Sequence, residues 1–156
     1  MLKHWKEKAD KWYPYAFDIV RMLAGVVIFA KGVFFIMNMD TLVKIMEQNH
    51  IGFGIHQGLA QYIGLAHLAG GLMLTMGLIT RLAAAVQIPI LLGAVLLVHL
   101  REGFFSTGAD LEFVVMLLII HVILAVVGGG PLSGDAKLEQ SRKTGANDTL
   151  FNFLSR

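Results

Sequence analysis

Four side chains could bind and protonate a polar group within an otherwise apolar setting: Lys31, His67, His99 and Glu112. A histidine can donate to a carbonyl and exchanges a proton near neutral pH, and a carboxylate at a pocket mouth can pass that proton to water. His67 and Glu112 are therefore the candidate catalytic residues. All four are candidate pocket residues, and the ligand that suits them is a quinone. A plainer reading needs no ligand, because polar side chains inside a helix bundle also pair with one another and fix its register.

No cysteine occurs, so thiolate metal sites, disulfide exchange and cysteine nucleophiles are excluded for this chain alone. Redox chemistry would have to use a borrowed cofactor, and none is expected to be intrinsic. His50, His56, His67, His99 and His121, with eight methionines, raise a third reading as a small transporter or metal handler. None of these histidines has the i, i+4 spacing of a helical ligand pair, and methionine is ordinary core filler, so no metal ligand is assigned.

What must position these residues follows from composition. Of 156 residues 56% are hydrophobic and 15% charged, and the mean hydropathy is +0.66, which places the chain in a lipid bilayer. A span needs about 20 mostly apolar residues. Four windows qualify, at about 15–37, 59–79, 82–100 and 111–128, giving an all-α integral membrane protein with a four-helix transmembrane domain over 15–130. The net charge is only +2, with lysines concentrated at the ends rather than on one face, which argues against nucleic acid as a partner.

Residues 1–14 mix Lys3, Lys6, Lys8 and Lys11 with Trp5, Trp12 and Tyr13, as in a segment lying at headgroup depth, and Pro14 marks a turn into the bilayer. Asp18, Arg21 and Lys31 interrupt the apolar run that follows and no small-residue cleavage site appears, so the segment reads as retained. Asp18 and Arg21 stand one turn apart and can pair, with Gly25 and Gly32 as a close-packing face beside them. Lys31 has no partner within its helix; it either snorkels to the headgroups or faces a pocket.

Leu42, Ile45 and Met46 have helical spacing after Asn38 or Asp40, which predicts a short amphipathic surface helix over 41–49 in the first outer loop. Gly52, Gly54 and Gly58 then loosen the chain before the second span. In the stretch from His67 to Ala85, and just before it, Gly64, His67, Gly71, Leu74, Gly77 and Arg81 recur at intervals of three or four, one face of a helix. Thr80 and Arg81 form a tight turn. Pro89 should kink the third span, and Gln87 can bond to a neighbouring helix. The loop from Arg101 to Asp110 places Phe104 and Phe105 at headgroup depth, with a turn at Gly108. In the fourth span Glu112 and His121 are nine residues apart, half a turn out of phase, so they cannot face one spot. Asp18, Arg21, Arg81, Gln87 and His121 are thus assigned structural polar roles. Residues 131–156 form a polar, peripheral tail whose apolar end (Leu150, Phe151, Phe153, Leu154) could touch the membrane.

Nine Lys and Arg fall on the side of the termini and the Arg81 turn, against two, Lys44 and Arg101, on the other. That asymmetry predicts that both termini are cytoplasmic.

The segments Arg21 to Gly32 (RMLAGVVIFAKG), Gly70 to Ala84 (GGLMLTMGLITRLAA), His99 to Glu112 (HLREGFFSTGADLE) and Gly129 to Asp135 (GGPLSGD) resemble, in that order, the DoxX family of small four-span membrane proteins. The resemblance covers nearly all of residues 17–135. It implies a four-helix bundle in the bacterial cytoplasmic (inner) membrane. The family's namesakes are linked to a thiosulfate to quinone oxidoreductase, and other members are proposed partners in oxidative-stress complexes. Arg21, Arg81, Glu112 and Asp135 match the family pattern. At His67 the chain departs from it, because many members carry a glutamate there, so a role of that acid does not transfer residue for residue. The expectation is a membrane subunit or scaffold of a quinone- or sulfur-linked redox complex, with a soluble redox or sulfur-handling protein as partner. A homo-oligomer stays open, as does a quinone-binding oxidoreductase subunit that works through the polar pocket.

Overall fold

A chain in hydrocarbon has no water to satisfy its N–H and C=O groups, and a helix pairs them internally, so each apolar run becomes helical. The computed structural model describes residues 2–51, 54–98 and 110–143, with side chains over 15–51, 54–98 and 111–143. Helix α1 spans Leu2–Met37, α2 Met39–Gln48, α3 His56–Met76, α4 Thr80–Gly93 and α5 Asp110–Val127. Helix α4 continues into a π-helical turn, Ala94–Val98, and a helix α6 occupies 134–143. No strand occurs among the described residues.

Three stretches are long and apolar enough to cross a bilayer: Tyr15–Met37 (23 residues), His56–Met76 (21) and Thr80–Val98 (19), with Leu111–Val127 as a shorter apolar helix. At about 1.5 Å per residue the three are roughly 28–35 Å long, close to the hydrocarbon thickness of about 30 Å. The protein is an all-α membrane helix bundle. Helix α1 packs chiefly on α3, and α4 links α3 to α5. One end of the bundle carries Arg21, Arg81 and α6, and is called here the arginine end; the other carries α2.

The α1–α3 seam is tight because its small residues let the two backbones meet. A Cβ at Gly71 would lie 2.3 Å from the amide nitrogen of Phe29, one at Gly25 2.5 Å from that of Thr75, and one at Gly32 2.5 Å from that of Leu68. The core comprises Ala24, Ile28, Leu91 and Leu117 in one cluster and Leu74, Ala83, Ala84 and Leu124 in another. Helix α2 is the amphipathic helix of the first loop, and it buries Leu42 and Met46 against Ala60 of α3. It starts at Met39 without a side-chain cap, because the Asn38 amide donates instead to the carbonyl of Phe34, closing α1.

Three local expectations change. Helix α1 runs unbroken through Pro14: a membrane helix tolerates the one hydrogen bond that a proline removes. Helix α3 stops at Met76. Gly77 adopts φ +69°, and the amides of Gly77 and Leu78 bond back to the carbonyls of Leu74 (3.2 Å) and Met73 (2.9 Å), the closing pattern that favours glycine. The small-residue stripe thus ends at Leu74, and Arg81 belongs to α4. Finally, the segment after α5 is not peripheral at its start, since Ser133 is fully buried. The side chains of residues 1–14, most of the loop after the third span and residues 144–156 lie outside the described residues.

Candidate functional site

At the arginine end the polar residues form a closed knot. Asp18 and Arg21 are buried and paired at 2.9 Å. The second oxygen of Asp18 accepts from the amide of Leu132 at 2.9 Å, while Nη1 of Arg21 donates to the carbonyls of Leu74 (2.5 Å) and Thr75 (3.2 Å) in the last turn of α3, the first of which also accepts from the Gly77 amide. A buried charge is tolerable only when paired and hydrogen-bonded in this way. Glycine is required at 130, where a Cβ would sit 2.6 Å from the Asp18 carboxylate.

Asp135 does the same for the start of α4. Its two carboxylate oxygens accept from the amides of Ile79 (2.6 Å) and Thr80 (2.8 Å), and its own amide donates to Gly77 at 2.9 Å. Partial burial pushes its carboxyl up, but the two amides and the nearby Arg21 charge outweigh this and hold it below the usual carboxylate range. Ile79 has φ +49°, a costly conformation for a β-branched residue, held where its amide meets Asp135. Ser133 accepts from the amide of Ala136 at 3.1 Å and so caps α6. Arg81 is exposed and donates to Val127 at 3.3 Å, satisfying a carbonyl at the end of α5. These side chains hold chain segments together, with Arg21 Nε and Thr80 Oγ1 buried and left without a partner.

Toward the α2 end the helices leave a cavity of about 460 Å³ between α1, α2, α3, α4 with its π-helical turn, and α5. Its wall is apolar apart from Lys31 on α1 and Tyr62 and His67 on α3. The π-helical turn contributes Ala94, Leu97 and Val98, and Pro89 also lines it. Such turns widen a helix locally and recur beside sites.

His67 is 5% exposed, and Phe35 meets its ring edge-on at a centroid distance of 5.4 Å. Its Nδ1 lies 3.0 Å from the carbonyl of Ile63. A carbonyl only accepts, so Nδ1 carries a proton, and in the neutral ring Nε2 then presents a lone pair. Lys31 combines both expected placements: it is exposed on the bundle surface and it lines the cavity. No carboxylate among the described residues pairs with it.

Of the four candidate pocket residues, the structure brings Lys31 and His67 to one cavity. Glu112 sits half-buried on α5 and is not among the lining residues, whereas Phe113 and Val114 are. His99 lies outside the described residues. Tyr62 and Phe35 complete the wall without a sequence signal, since Tyr62 is five positions from His67 and off its stripe.

The other polar residues are sealed in. Gln87 is fully buried and donates across to the carbonyl of Ala66 on α3 at 2.6 Å. His121 is fully buried, with Nδ1 2.7 Å from the carbonyl of Leu117 and Nε2 unpartnered. No group of three or more His, Asp or Glu residues placed to hold a metal occurs among the described residues.

Comparison with known proteins agrees with this architecture. The DoxX family model matches residues 16–100, more than half of the chain. A Bacillus subtilis (strain 168) protein named "Putative oxidoreductase CatD" is 25% identical over 127 residues, covering 81% of this chain and 90% of that protein. No solved structure matches. With four apolar helices, three of them long enough to span, and the family model covering α1 to α4, this multi-pass membrane protein belongs to the DoxX family.

Proposed function

We propose that the protein is the membrane subunit of a redox complex and that the cavity at the α2 end holds the ring of a quinone. The observation that carries this reading is the convergence of Lys31 and His67 on one apolar cavity. At about 460 Å³ it falls within the usual range for small-molecule sites, about 300–1,000 Å³, and shows their usual make-up of apolar walls with a few polar groups. Lys31 supplies a donor for a quinone oxygen, and the Ile, Leu and Phe walls suit an isoprenoid tail.

Quinone becomes quinol by gaining two electrons and two protons. With no cysteine the chain offers no thiolate site for an electron carrier, so the electrons pass to or from a soluble redox or sulfur-handling partner. The relative's printed name as an oxidoreductase is in keeping with such a role. The nine-to-two distribution of Lys and Arg supports an orientation with the arginine end and both termini in the cytoplasm, and the membrane is taken to be a bacterial inner membrane. The exposed helix α6, with Lys137, Arg142 and Lys143, then faces the compartment of the partner.

The test is binding of a decyl-substituted benzoquinone to the purified protein in lipid nanodiscs by calorimetry. Lys31→Met should weaken binding at least about tenfold, the worth of one hydrogen bond to a buried or charged group. Absence of saturable binding to the unaltered protein overturns the proposal. Affinity capture from native membranes with the tagged full chain should recover a reproducible soluble redox protein, lost when residues 134–156 are removed.

A further inference from the structure

The cavity has a hydrogen-bonding sense that its residue types alone do not reveal. The one N–H of neutral His67 is spent on the carbonyl of Ile63, a turn back along α3, at 3.0 Å. A flipped ring would set a carbon against that carbonyl and forfeit this bond. His121 Nε2 is sealed in the core without a partner, whereas His67 lines the cavity and Nε2 is the ring nitrogen that the bond to Ile63 leaves uncommitted. What His67 offers a ligand is therefore a lone pair: it accepts, and in this state it cannot donate.

A quinone presents carbonyl oxygens, which also only accept, whereas a quinol presents hydroxyl groups, which donate. We propose that the cavity, taken as the quinone site of the preceding section on which this inference rests, selects the reduced form. One quinol O–H donates to Nε2 of His67, and the oxygen at the far side of the ring accepts from the Lys31 ammonium. Lys31 is level with His67 across the tight α1–α3 seam, since a Cβ on its neighbour Gly32 would lie 2.9 Å from the His67 backbone carbonyl carbon. Its ammonium serves a quinone oxygen and a quinol oxygen alike, and the Tyr62 hydroxyl can donate or accept. His67 is thus the polar wall residue that discriminates between the two forms. With a quinone bound, its lone pair and the ligand's lone pairs face each other, and a buried acceptor goes unmet.

The experiment compares, without oxygen, the binding of decyl-benzoquinone and of its hydroquinone to the full chain in nanodiscs. The hydroquinone should bind about tenfold more tightly, which raises the midpoint potential of the bound couple by about 30 mV. His67→Leu should abolish the preference. His67→Gln, whose amide both donates and accepts, should bind both forms with nearly equal affinity. Equal or tighter binding of the quinone by the unaltered protein, or a preference that survives in His67→Leu, overturns the inference while leaving the quinone site intact. Saturable binding of neither form overturns both.

Discussion

Replacing Asp135 with alanine should loosen the start of α4 from a position more than fifty residues away in sequence. Asp135 accepts from the amides of Ile79 (2.6 Å) and Thr80 (2.8 Å), donors that the first turn of any helix leaves unpaired. Hydrogen bonds to a charged group contribute about 1.5–3 kcal/mol when shielded, and helix-capping side chains about 0.5–2 kcal/mol overall. Because the carboxylate is half-exposed, solvent screening brings the expected loss to about 2 kcal/mol. Asparagine can accept from one amide but turns an N–H toward the other, so Asp135→Asn should lose about half as much.

The same contact predicts a pH dependence. The folded-state pKa of Asp135 lies below the unfolded value, about 3.9. Its contribution is therefore fully present above about pH 4 and is lost as the pH falls through the depressed folded value. Unfolding of the detergent-solubilised protein by SDS, followed by far-UV circular dichroism, measures both effects. The difference between the unaltered protein and Asp135→Ala should be full at pH 7 and shrink below pH 4. Equal stability at pH 7, or a gap that persists unchanged at pH 3, would refute the assignment of Asp135 as the cap of α4.

Three further substitutions probe the bundle. Gly71→Ala should cost about 1–3 kcal/mol, because the new Cβ would lie 2.3 Å from a backbone atom of Phe29, while Gly58→Ala, with open space around it on the same helix, should be neutral or stabilising by up to about 1 kcal/mol; both are read by the same SDS titration. Asp18→Asn strips Arg21 of its buried partner and should cost about 3–5 kcal/mol, and adding Arg21→Met should recover part of that loss, which the yield of folded protein and its melting temperature would show. Gln87→Leu removes one bond to Ala66 but also a buried, unpartnered carbonyl oxygen, so its net effect should stay within about 1 kcal/mol; a larger change in the unfolding free energy would contradict the pairing as described.

Apolar run length alone was enough to determine the membrane bundle, because the cost of unpaired backbone in lipid leaves the helix as the one local solution for each run. The pairing of Asp18 with Arg21 was legible for a similar reason: their spacing puts both on one helical face, and the contact needs nothing else. The periodicity of Leu42, Ile45 and Met46 likewise marked α2 before its packing on α3 was known. What sequence could not decide depends on which helices become neighbours. Glu112 shares the chemistry of the pocket candidates, yet α5 turns Phe113 and Val114 to the cavity instead. Asp135 read as part of a polar tail, and only the fold brings it to the first turn of α4. Lys31 and His67 meet because Gly25, Gly32 and Gly71 let α1 and α3 touch, a consequence of two distant small-residue faces fitting together. Whether His67 offers its ligand a proton or a lone pair is decided later still, by the single carbonyl of Ile63 that takes up its N–H.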